Sequence, residues 1–197
     1  KVGTNFNYFM NFNKELNSII ADLNEKKFHQ VIDRCENIIK LNLGNSDVFN
    51  IYGVAHQNLK KYKESIEAFN KSIQLQNNNF VAIHNLALSL KFIKDFKHSE
   101  KMFNKCLKIK PDYIVAIINL ANLKKEVCQY DDAIKLFLQS LNYEGKINKL
   151  QVHFNLAELY RIIGNFKKAN KYAKIIVEEN PENVYGHKLL SDFIDYK

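Results

Sequence analysis

Phe28, Tyr62, Phe96, Tyr130 and Phe166 recur at intervals of 34, 34, 34 and 36 residues, and this period restricts the fold more than any other feature of the sequence. Four of the aromatics stand second in blocks that superimpose: Lys61-Tyr62-Lys63-Glu64-Ser65-Ile66, Asp95-Phe96-Lys97-His98-Ser99-Glu100, Gln129-Tyr130-Asp131-Asp132-Ala133-Ile134 and Asn165-Phe166-Lys167-Lys168-Ala169-Asn170. A second block recurs upstream as Tyr52-Gly53, Leu86-Ala87, Leu120-Ala121 and Leu156-Ala157, spaced 34, 34 and 36. A unit of this length is one supersecondary motif that cannot bury its apolar face alone, so successive units must stack and share a core.

Within each unit the apolar residues fall at helical spacing, as in Val31, Ile32, Cys35, Ile38 and Ile39, or Ile114, Ile117, Ile118 and Ala121. Only six Gly and two Pro occur, too few for the many turns of a sandwich or barrel. The class expected is all-α. Gly53, Ala87, Ala121 and Ala157 let paired helices approach closely, and Gly164 suits a sharp turn with positive φ.

The pattern resembles the tetratricopeptide repeat (TPR) family, with Ile83, Leu86, Ala87, Phe96, Ser99, Phe103, Cys106 and Pro111 filling its positions in one unit. In the last unit His153, Leu156, Ala157, Phe166, Ala169, Ala173, Ile176 and Pro181 do so. The resemblance implies a right-handed superhelix, an α-solenoid, of five helix-turn-helix repeats at 12–45, 46–79, 80–113, 114–149 and 150–183. Residues 1–11 precede the array, and a capping helix from 184 presents Val184, His187, Leu190 and Ile194 to it, with Asp192, Asp195, Tyr196 and Lys197 left polar. Two departures stand out. Glu15 and Ile19 occupy places where the family has a bulky apolar and a small residue, and the fourth repeat runs two residues long through Glu144–Lys149, which predicts a loop bulge.

Charge and chemistry narrow the function. The formal net charge is +8, and it attracts acidic peptides, anionic lipid or nucleic acid without choosing among them. The pairs Lys60-Lys61, Lys124-Lys125 and Lys167-Lys168 read as solvated helix faces, and with aromatics consumed by the fold and no clustered Arg, nucleic acid is not the expected partner. Cys35, Cys106 and Cys128 have no metal or redox spacing and read as reduced thiols, which points to a reducing, cytoplasmic compartment. No apolar run is long enough for a membrane span. The chain opens on Lys1 rather than Met, as a processed protein or part of a longer one does. No nucleotide loop, nucleophile elbow or zinc-binding helix motif is present, so no catalytic residue, metal ligand or cofactor is expected. His153 and His187 share a repeat position and read as packed, hydrogen-bonded imidazoles.

In the TPR family the first helices line an inner surface, and the resemblance places Asn85, Asn119 and Asn155 there, each just before a Leu-Ala pair. Asn17 holds that place in the first repeat, while the second has Ile51 with Asn50 beside it. The string Asn119-Leu120-Ala121-Asn122-Leu123-Lys124-Lys125-Glu126 is similar to repeats of O-linked N-acetylglucosamine transferase, whose inner asparagines grip an extended peptide backbone. A carboxamide suits that task because it both donates and accepts. Lys91, Lys125 and Arg161, six residues beyond the asparagines, bias such a groove towards acidic peptides. The expected function is a protein–protein interaction scaffold that holds an extended, acidic peptide segment. The alternative is the substrate-recruiting arm of a larger enzyme, of glycosyltransferase or sulfotransferase type, with its catalytic domain elsewhere.

Overall fold

The computed structural model describes residues 2–143 and 148–191, with side chains from residue 12 onward. Among these, eleven α-helices occur and no strand. They are α1 Val2–Asn24, α2 Phe28–Lys40, α3 Ser46–Asn58, α4 Tyr62–Leu75, α5 Phe80–Phe92, α6 Phe96–Ile109, α7 Ile114–Glu126, α8 Tyr130–Leu141, α9 Lys149–Ile162, α10 Phe166–Glu179 and α11 Val184–Ser191. The chain forms two compact units, residues 1–110 and 111–197. In unit 1 the pairs α1–α2, α3–α4 and α5–α6 pack in sequence, with α3 also touching α1 and α5; in unit 2 α7–α8 and α9–α10 are followed by α11 on α10. The all-helical, consecutively paired architecture expected from the period is the one observed.

The turn from first to second helix is built the same way throughout. One residue enters the left-handed region: Lys26, Lys60, Lys94 and Cys128 at φ between 59° and 63°, and Gly164 at 73°. Its N–H and the next one bond back to the closing helix, as Lys60 does to the Gln57 carbonyl at 2.9 Å and Lys61 to the His56 carbonyl at 2.9 Å. This doubly bonded C-terminus satisfies carbonyls the helix leaves open. The opposite ends are closed by short polar side chains. Asn45, Asn79, Asn148 and Asn165 accept from the backbone N–H three residues on at 2.9, 3.0, 3.0 and 3.2 Å. Those four of the chain's 26 asparagines are thus spent on capping.

Large and small residues meet along each seam. A Cβ on Gly53 would stand 2.6 Å from the Phe69 ring, so only glycine admits that ring, which is fully buried. Phe103 and Phe137 hold the same repeat position as Phe69 and are fully buried, as are Ala87 and Ala121 at the position of Gly53. The first repeat reverses it: Ile19 is fully buried in one cluster with Cys35, which takes the place of Phe69. Glu15 is likewise accommodated rather than misplaced. Its carboxylate receives the Arg34 guanidinium at 2.8 and 2.9 Å, and Arg34 also pairs with Asp22, so an ionic cluster joins α1 to α2 where an apolar contact was expected.

The capping helix departs from its expected face. Gly186 and Leu189 are buried and Leu190 packs beside them, whereas Val184 is 82% exposed and His187 is exposed. A Cβ on Gly186 would meet Ile176 at 2.8 Å, and that close approach sets the helix register against α10. Ile194, Asp192, Asp195, Tyr196 and Lys197 lie outside the described residues, as does most of the expected bulge, 144–147.

Candidate functional site

The polar side chains of the first helices collect into two groups, one per unit. In unit 1, Asn85 on α5 is half-buried, and its Nδ2 donates to Asn50 Oδ1 on α3 at 3.1 Å. Asn50 therefore stands in for the carboxamide missing at Ile51, which is buried. Asn17, the first-repeat counterpart, is exposed on α1. Behind this row, Gln57 Nε2 donates to the Asn85 carbonyl at 3.1 Å and to Ser89 Oγ at 2.8 Å, and the Ser89 hydroxyl meets that of Ser65 at 2.7 Å. These bonds tie α3, α4 and α5 together and hold the carboxamides still. Lys91 is half-buried in the last turn of α5.

In unit 2, Asn119, Asn122 and Lys125 follow one another at three-residue intervals along α7, all half-buried. Lys125 reaches α9, where its Nζ donates to Asn155 Oδ1 at 2.9 Å and pairs with Glu158 Oε2 at 2.7 Å. Asn155 is 6% exposed, and its Nδ2 donates to the Gln151 carbonyl at 3.0 Å. Beside this network lies a cleft of about 350 Å³ lined by Lys125, Gln151, Phe154, Asn155, Glu158 and Tyr185, with Asn183 at its edge. The Phe154 and Tyr185 rings lie 5.4 Å apart and form its apolar wall. Arg161 is exposed at the end of α9 and does not line the cleft.

Of the residues expected from the sequence, Lys125 and Asn155 line this cleft, whereas Gln151, Phe154, Glu158, Asn183 and Tyr185 line it without having been expected. The repeat itself carried a signal for two of them, since Gln151 and Tyr185 hold the same position 34 residues apart. Glu158 has a larger consequence. Lys125 is matched by a carboxylate of its own protein, so the cleft is not the basic groove that lysine alone implied.

The buried imidazoles are structural in placement. His56, His84 and His153 are 5, 4 and 9% exposed, and burial lowers the pKa of each below the ordinary value near 6.5. Asn85 opposes the shift at His84 by a side-chain hydrogen bond, while Glu64 opposes it at His56 and Glu179 at His153. His56 packs edge-on against Tyr52 at 4.4 Å with neither ring nitrogen hydrogen-bonded. The His153 ring lies 5.9 Å from that of Tyr172 at a tilt of 32°, and its Nδ1 is 3.5 Å from Glu179 without a hydrogen bond, contrary to the bonded imidazole expected there. His187 is exposed and donates to the Pro181 carbonyl at 2.7 Å. The three cysteines are free thiols, and burial pushes Cys35 up to about 12 and Cys106 up to about 11. Among the described residues no group of three His, Cys, Asp or Glu is placed to hold a metal ion, and no helix is long and apolar enough to cross a membrane.

The family model of the tetratricopeptide repeat matches residues 46–79 and 81–113. Those two stretches are tetratricopeptide repeats. No curated protein matches the sequence at a significant level. Solved TPR structures match the fold along most of the chain. A tetratricopeptide repeat protein from Parabacteroides merdae is 13% identical with a TM-score of 0.76, over 92% of this chain and 72% of that one. The C-terminal part of a TPR repeat-containing protein from Cytophaga hutchinsonii is 10% identical with a TM-score of 0.80, over 90% and 69%. MamA from Desulfovibrio magneticus is 16% identical with a TM-score of 0.76, over 87% and 96%. At such identities the likeness concerns the fold.

Proposed function

We propose that this chain is a protein–protein interaction scaffold that holds an extended peptide segment against its first helices. One observation carries the reading: Lys125 on α7 and Gln151, Asn155 and Glu158 on α9 line a polar cleft of about 350 Å³ that has one aromatic wall. Within each unit an extended peptide's alternating donors and acceptors can be matched without reading side chains, by Asn50 and Asn85 in unit 1 and by Asn119 and Asn122 in unit 2. Phe154 and Tyr185 supply apolar area for one peptide side chain. Because Lys125 is paired with Glu158, an acidic peptide binds there by exchange, its carboxylate replacing that of Glu158 on the ammonium. The same surface serves a stand-alone adaptor or the recruiting arm of a larger enzyme.

A peptide-library selection on the chain tests this reading. Extended peptides of varied sequence should be recovered. Glu158→Gln should favour the acidic ones among them, because a free lysine then awaits their carboxylate, and added salt should erase that preference. Recovery of no peptide, or a Glu158→Gln profile identical to the parent's, would contradict the proposed face.

A further inference from the structure

A second surface, on another edge of the fold, carries an inference independent of the peptide face. In unit 1 each turn from first to second helix holds a lysine in the left-handed region: Lys26, Lys60 and Lys94 at φ 61°, 59° and 63°. These share one repeat position, and α1, α3 and α5 pack in order, so the three turns fall along one edge of the unit. Glycine is the residue least strained there, yet all three turns carry an ammonium.

The same edge exposes apolar surface. Phe92 and Ile93, directly before Lys94, are 54% and 45% exposed. The Phe92 ring stacks on Tyr62 at 5.0 Å and 16°, and Tyr62 directly follows Lys60 and Lys61. That stack joins two successive turns, so the apolar pair is flanked by Lys60, Lys61 and Lys63 on one side and by Lys94 and Lys97 on the other. All five lysines are exposed, and among the described residues none is engaged in an ion pair. The nearby acids are fewer: Glu25 is paired with Lys27, Asp95 with His98, and Glu64 is exposed.

An apolar pair rimmed by lysines matches the chemistry of an anionic bilayer surface. The ring and branched chain enter the acyl boundary, the ammonium groups meet lipid phosphates, and the lysine stems cover apolar area between. A nucleic-acid backbone would use the charge but leave Phe92 and Ile93 idle. We propose that this edge docks peripherally on an anionic lipid surface, with Phe92 and Ile93 inserting and Lys60, Lys61 and Lys94 facing the headgroups.

Flotation of the chain with vesicles tests the proposal, using phosphatidylcholine alone and phosphatidylcholine mixed with phosphatidylglycerol. Binding is expected to the anionic vesicles only, with release by high salt. Lys60→Gln/Lys94→Gln should lower partitioning by about fivefold per lysine. Lys101→Gln/Lys108→Gln on α6 removes the same charge elsewhere in unit 1 and should lower it far less. Ile93→Ser lies outside the aromatic stack, so it should weaken binding with the melting temperature unchanged, whereas Phe92→Ser also disturbs the Tyr62 contact. Equal binding to neutral vesicles, equal losses from the two lysine pairs, or binding to an oligonucleotide but not to vesicles would each overturn the proposal.

Discussion

The first two helix pairs solve one packing problem in opposite ways. In α3–α4 the first helix supplies Gly53 and the second supplies Phe69; in α1–α2, 34 residues earlier, the first helix supplies Ile19 and the second supplies Cys35. Ile19, Cys35 and Phe69 are all fully buried. Both seams are filled, one mainly from the first helix and the other from the second. The pair α9–α10 gives a third solution. Ala157 faces a helix that has Ala173 where Phe69 stands, and the aromatic has moved one residue back to Tyr172, which stacks on the buried Tyr160 at 5.8 Å. Dense packing explains why each change is compensated nearby, since an unfilled void costs stability in proportion to its volume.

The comparison can be broken by exchanging the seams. Phe69→Cys alone leaves a cavity under Gly53 and should destabilise by about 3–5 kcal/mol. Gly53→Ile alone drives a side chain into the Phe69 ring and should cost about 1–3 kcal/mol. The double variant rebuilds the Ile19–Cys35 arrangement and should recover most of both losses, a coupling measurable by denaturant titration. Losses that simply add would show that the two seams are not interchangeable.

Acid sharpens the same comparison. His56 belongs to the second pair and has no counterpart in the first, where Asp22 stands at that position. Its folded pKa is lowered by burial, so the stability it contributes is present above pH 6.5 and is lost as the pH falls through the folded value. His84 and His153 act with the same sign. The melting temperature should fall by several degrees below pH 6.5, and His56→Leu, which removes two unbonded ring nitrogens, should flatten that fall. A pH-independent parent would contradict the burial account.

The smallest effect is expected where the two pairs agree. Both turns use a left-handed lysine, so Lys26→Gly and Lys60→Gly should each stabilise by roughly 0.5–1 kcal/mol, while Gly164→Ala should destabilise by a similar amount. Calorimetry that separated Lys26 from Lys60 would show that the turns differ as the seams do.

Most of the fold was legible because a period of 34 residues places every seam and turn in register before any contact is known. The helix pairs, the small residues Gly53, Ala87, Ala121 and Ala157, and the turn at Gly164 all follow from it. Ile19 was legible only as an anomaly. Its explanation required Cys35 to be set against Phe69, a comparison of missing volume rather than of matching residue type. The face of α11 was misread because apolar spacing favoured Val184, whereas the helix docks through the close approach at Gly186. Of the residues proposed from type and position, Asn155 and Lys125 line the cleft of unit 2, while Asn85 bonds to Asn50 in unit 1. The pairing of Lys125 with Glu158 was hidden because the two lie 33 residues apart on different helices. Asparagine was ambiguous by nature, since one carboxamide caps a helix at Asn45 and reaches across helices at Asn85.

That ambiguity defines the most direct test of the proposed function. Isothermal titration of selected peptides should be run on the parent, on Asn85→Ala, on Asn119→Ala and on Asn45→Ala. If first-helix carboxamides hold peptide main chain, Asn85→Ala and Asn119→Ala should each weaken binding by about 1 kcal/mol per lost hydrogen bond, alike for peptides of different sequence. Asn45→Ala, which removes only a cap, should lower stability by about 1 kcal/mol and leave affinity unchanged. Affinities in Asn85→Ala and Asn119→Ala equal to the parent's would contradict the account and leave these asparagines as parts of the fold alone.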